Sequence, residues 1–130
     1  MAPDGSVRDT RRTAAAALVT DLACILVFAA SGRRSHSEAL SIAGLAETSW
    51  PFLTGTLVGW LVSRGWRRPH SLAPTGVVVW LCTVVVGMAL RKASSAGTAL
   101  SFVIVTTLVT AALLLGWRAT LAALARYRAR

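Results

Sequence analysis

PTGVVVWLCTVVVGMAL, residues 74–90, is a run of seventeen residues without a single charge. Its two valine triplets, Val77-Val78-Val79 and Val84-Val85-Val86, would favour a strand in water. In lipid a lone segment must satisfy its own backbone hydrogen bonds, so the stretch reads as a helix. Seventeen residues of helix rise about 26 Å, close to the thickness of a hydrocarbon core.

Working outward, three more apolar blocks appear, over about residues 13–31, 45–63 and 98–117. Each is long enough to cross a bilayer as a helix. The links between them are short, so neighbouring helices are antiparallel. The expected fold is therefore all-α: a four-helix transmembrane bundle. Residues 1–12 are polar and carry Pro3 and Gly5, which predicts disorder. Residues 118–130 form a basic tail, into which the fourth helix can continue as far as Tyr127. The mildly apolar stretch from Ala39 to Ala46 either extends the second helix or lies at the interface.

The composition agrees. Of 130 residues, 55% are hydrophobic, and mean hydropathy is +0.61. Fourteen Lys and Arg face five Asp and Glu. The charges lie between apolar blocks instead of forming a stripe on a soluble fold, which excludes a nucleic-acid partner. Thirteen of the fourteen basic residues are Arg, a bias that suggests a GC-rich bacterial genome and hence a bacterial plasma membrane. Orientation follows from the same residues. Ten fall on the side shared by both termini and the link at residues 64–73, and four, Arg33, Arg34, Arg91 and Lys92, on the other. That places both termini in the cytoplasm, with anionic lipid as the natural partner of the inner face. Trp66, Trp117 and Tyr127 then anchor the inner interface and Trp50 the outer one. A cleaved signal peptide over the first block is the rival, but the block is long and carries Asp21 in mid-stretch.

Asp21 is the most informative residue. It lies eight residues beyond Thr13, roughly 12 Å along the helix axis. A carboxylate at that depth costs a few kcal/mol and must face other helices. Trp60, Trp80, Thr83 and Thr110 are expected at similar depth as hydrogen-bond donors. No basic residue is expected there, so no salt bridge is anticipated. Asp21 is then either a titrating transport site or a polar tie between helices. A second candidate site, for an anion or a lipid headgroup, gathers Arg33, Arg34, His36 and Arg91 at the outer face, with Lys92, Glu38 and Glu47 nearby.

Other features point to packing. Gly55 and Gly59 form a G-x-x-x-G, continued by Ser63, along which helix backbones approach closely, within the chain or in a homo-oligomer. Thr48 or Ser49 is the expected cap of the second helix, with Pro51 in its first turn. Cys24 and Cys82 lie in apolar blocks with no C-x-x-C pair. His36 and His70 fall on opposite faces, so no metal site is expected, and nothing calls for a cofactor. Ala39-Leu40-Ser41 recurs as Ala99-Leu100-Ser101, and Gly59-Trp60 as Gly116-Trp117, short matches that are cheap in so biased a composition.

Asp21-Leu22, Gly32-Arg33-Arg34-Ser35-His36, Trp50-Pro51-Phe52, Pro74-Thr75-Gly76-Val77, Gly87, Arg91, Gly97-Thr98-Ala99 and Ser101-Phe102-Val103 together resemble domain of unknown function family 3054. The resemblance spans about residues 14 to 118. It implies four transmembrane helices and no particular activity. It favours Asp21, Arg33, His36 and Arg91 if a site exists.

Two functions remain open. One is a small oligomeric transporter or channel, with Asp21 coupling to an outer Arg/His vestibule. The other is a non-catalytic membrane protein that binds lipid or a partner. An enzyme comes last, since no nucleophile–base pair is evident.

Overall fold

The computed structural model describes residues 4–35, 38 and 40–129. The described residues form four α-helices, α1 (Asp4–Ser35), α2 (Ile42–Ser63), α3 (Val77–Ala93) and α4 (Leu100–Ala129), with a π-helical turn over Leu72–Gly76 leading into α3. There is no strand among the described residues, and the valine triplets are helical.

Three of the helices are long and apolar enough to cross a membrane, over Val7–Arg34, Leu72–Ala93 and Leu100–Ala129. α2 is not among them, and Glu47, Thr48 and Ser49 interrupt its apolar run. It compensates by burial: its Phe52, Gly55, Thr56, Gly59 and Trp60 are all inside the bundle. Elsewhere the usual distribution is inverted. Val19, Leu61, Val62, Val85 and Leu108 are each more than 60% exposed, whereas Asp21, Thr56, Thr83, Thr110 and Arg118 are fully buried. A polar interior under an apolar skin fits a membrane protein, in which lipid solvates the outside.

α2 and α3 pack most intimately. A Cβ on Gly55 would lie 2.7 Å from the Cys82 carbonyl oxygen and 2.9 Å from Thr83 Cα. One on Gly59 would lie 2.7 Å from Val79 Cα. The small-residue stripe is thus spent within the chain, backbone against backbone.

Helix ends differ from expectation in three places. α1 begins at Asp4, inside the stretch expected to be disordered, because residues 7–17 hold no glycine or proline and end in four alanines. α2 is capped by Ser41, whose hydroxyl accepts from Gly44 N at 3.0 Å, and not by Thr48 or Ser49. Pro51 therefore lies in the helix interior. Its missing N–H leaves the Glu47 carbonyl without its usual helical donor, close to the cavity described below. α2 ends at Arg64, left-handed at φ 53°, with Gly65 N donating to Trp60 O at 2.9 Å. α4 continues to Ala129, and its last eleven residues, 119–129, are all exposed.

Candidate functional site

Asp21 does form a salt bridge, contrary to expectation. Arg118 Nη2 donates to Oδ2 at 2.7 Å and Nη1 to Oδ1 at 2.8 Å, with both side chains fully buried. Trp60 Nε1 donates to Oδ2 at 2.8 Å and Trp117 Nε1 to Oδ1 at 2.9 Å. Each carboxylate oxygen thus accepts one guanidinium and one indole N–H. Of the four donors expected at this depth, Trp60 alone reaches Asp21. Trp80 donates to the Thr107 carbonyl, Thr83 pairs with Thr56, and Thr110 bonds back to Thr106. Trp117, expected at the interface, takes a place on the carboxylate instead.

Arg118 reaches Asp21 because helical side chains lean toward the N-terminus of their own helix. α1 and α4 run antiparallel, so Asp21 leans toward the end bearing the termini while Arg118 leans back into the bundle. Both sequence counts put the residues apart, and both side chains close the gap. Arg118 also donates from Nη1 to Leu114 O at 3.1 Å and from Nε to Pro69 O at 3.0 Å. Its guanidinium carbon lies 4.4 Å from the centre of the Trp117 ring. Two glycines make room. A Cβ on Gly76 would lie 2.9 Å from Arg118 Cδ, and one on Gly65 2.7 Å from the Trp60 ring. The clamp therefore joins α1, α2, α4 and the α2–α3 link at a single carboxylate. The two Gly-Trp pairs, 59–60 and 116–117, deliver their indoles to its two oxygens.

Above the clamp lies a layer of hydroxyls. Thr56 and Thr83 share a hydrogen bond of 2.8 Å between α2 and α3. Above them Phe28, Phe52 and Phe102 meet with ring centres 5.5 to 6.5 Å apart. Aromatic rings and the ion pair close the bundle axis in two layers.

Beyond the phenylalanines the bundle opens into a cavity of about 860 Å³, at the end bearing the α1–α2 and α3–α4 links. Its floor is apolar: Phe28, Pro51, Phe102 and Val105. Arg33, Arg91, Glu38 and Glu47 line its rim. Arg33 is engaged, with Nη1 3.0 Å from Glu38 Oε2 and 3.0 Å from Thr48 Oγ1. Arg91 donates from Nε to Gly97 O at 2.9 Å and lies 4.3 Å over the Phe102 ring.

A family model described as "Protein of unknown function (DUF3054)" matches residues 18–121. The chain belongs to this family. No curated protein and no solved structure matches it. The part matched to DUF3054 contains the whole clamp, Asp21 through Arg118, and the whole cavity.

Of the outer residues singled out in the sequence, the DUF3054 fold brings Arg33 and Arg91 to one cavity. Arg34 and Lys92 are exposed and do not line it. His36 lies outside the described residues. Among the described residues no group of three His, Cys, Asp or Glu is placed to hold a metal.

Proposed function

We propose that this chain is a multi-pass protein of the bacterial plasma membrane, with both termini in the cytoplasm. It holds a charged ligand in its outer cavity and passes nothing through its axis. Arg91 makes the cavity competent for a phosphate or carboxylate, and the phenylalanine floor accommodates an apolar chain. The basic inner ends of α1 and α4 rest on anionic headgroups. The role is non-catalytic, whether the protein acts alone or as a homo-oligomer.

The observation that carries this reading is the Asp21 clamp. A coupling carboxylate must lose its partners in each cycle. Asp21 accepts four hydrogen bonds, two of them from a buried guanidinium. Such a group ties helices together and does not shuttle protons.

Two measurements test the proposal. Proteoliposomes under a pH gradient should leak protons, sodium and phosphate no faster than protein-free vesicles. Native mass spectrometry in mild detergent should show retained lipid that Arg91→Gln sheds. Flux above background, or a chain that emerges bare, would sink the reading.

A further inference from the structure

We infer that Glu47 and Arg91 form a two-ended seat for a zwitterion carrying a primary ammonium and a phosphate. The inference rests on the ligand-holding reading above and names its ligand class.

Among the described residues, four acidic or basic side chains line the cavity. Arg33 and Glu38 pair directly, and Thr48 fixes the pair to α2. Glu38 also acts on Arg91 through space, but no carboxylate makes contact with that guanidinium. Glu47 has neither a hydrogen bond nor an ion pair among the described residues, and it is not within pairing distance of Arg91. The guanidinium of Arg91 bonds only through Nε, so its Nη nitrogens have no partner among the described residues. Phe102 beneath and the Gly97 carbonyl beside it hold the guanidinium in place.

A plain anion on Arg91 would leave Glu47 unmatched over the same apolar floor. A plain cation on Glu47 would leave Arg91 unmatched. A zwitterion answers both. Glu47 offers only acceptor oxygens, which suits an ammonium with N–H donors. Arg91 offers a planar fork, which suits phosphate oxygens. The apolar floor of Phe28, Pro51, Phe102 and Val105 accommodates a hydrocarbon chain attached to the phosphate. The chemistry is that of phosphoethanolamine, available from an ethanolamine lipid or from its soluble headgroup.

The full chain, purified in mild detergent, is offered equimolar phosphatidylethanolamine and phosphatidylglycerol, and the bound lipids are counted by native mass spectrometry. Phosphatidylethanolamine should lead by roughly tenfold, the worth of one charge-assisted hydrogen-bonded contact. Glu47→Gln, at an exposed position, should bring the two lipids to parity while keeping the binding. Arg91→Gln should lose both. Glycerophosphoethanolamine that competes at similar concentration would make the soluble headgroup the source, and one that fails to compete would make it the lipid. Phosphatidylglycerol bound as well as phosphatidylethanolamine, or a preference that survives Glu47→Gln, overturns the zwitterion seat alone. Binding of none of the three overturns the ligand-holding reading as well.

Discussion

Replacing Arg118 with Met removes two charge-assisted hydrogen bonds from Asp21, at 2.7 and 2.8 Å, and leaves the two indole donors in place. Bonds of this kind are worth about 1.5–3 kcal/mol each, so about 3–6 kcal/mol is at stake. Breaking a buried ion pair by removing one partner costs about 3–5 kcal/mol, which narrows the expectation to near 4. Asp21→Asn should cost a similar amount, since it leaves the buried Arg118 guanidinium without its carboxylate. The double variant, Asp21→Asn with Arg118→Met, leaves no buried charge and should lose far less than the two singles combined. Reversible unfolding in mixed micelles measures all four proteins, and Trp60 and Trp117 serve as fluorescent reporters because both touch the carboxylate. A coupling energy of about 3 kcal/mol is expected. Single variants within about 1 kcal/mol of the parent, or costs that simply add, would refute the clamp as the tie between α1 and α4. So would an Asp21→Asn protein as stable as the parent that had lost a measurable flux.

Two further predictions concern packing. Gly55→Ala should destabilise the bundle by about 1–3 kcal/mol, because its new methyl would meet the α3 backbone at Cys82 and Thr83. Gly116→Ala has nothing within 4 Å and should stabilise α4 by up to about 1 kcal/mol, so thermal melts of the pair separate contact from helix propensity. Thr56→Val removes the 2.8 Å bond to Thr83 at nearly constant volume and should cost about 0.6 kcal/mol by the same unfolding assay. Equal melts for the two glycine variants, or a Thr56→Val loss above about 2 kcal/mol, would contradict the packing described.

The helices were legible because their signal is one of length and charge, which residues 74–90 carry without interruption. Helix ends were less so, since they depend on which of several hydroxyls finds a free N–H. Ser41 does so at Gly44, while Thr48 instead accepts from Arg33 and Ser49 faces the interior. Asp21 announced itself as a buried acid needing donors, and Trp60 met that need. Arg118 did not, because depth counted along a helix axis ignores the length and lean of the side chain. A stronger hint lay in the repeated Gly-Trp. Two indoles, each following a glycine, are a means of surrounding a carboxylate. At the outer face, sequence brought Arg33 and Arg91 together but could not assign Glu38 to Arg33 and leave Glu47 open, since that depends on how α1 and α2 are rotated.

The two ends of the bundle treat charge in opposite ways, and the difference follows from what each must accomplish. α2 and α3 are held by glycines that let backbones touch. α1 and α4 are the first and last helices, 97 residues apart at the clamp, with no comparable stripe of small residues between them. In lipid, apolar side chains add little drive for one helix to choose another, because the surrounding tails are equally apolar. A leucine pair would fill the same space without specifying a partner. An aspartate on α1 and an arginine on α4 specify it, since every other pairing leaves a charge stranded. The clamp's own donors are therefore turned onto Asp21. The outer end is tied across α1 and α2 by Arg33 with Glu38 and Thr48, an arrangement in which Glu47 takes no part. The charges of Glu47 and Arg91 sit exposed and half-exposed, where carrying them without a contacting counter-charge costs little, and among the described residues of the cavity wall they are the ones open to an incoming molecule.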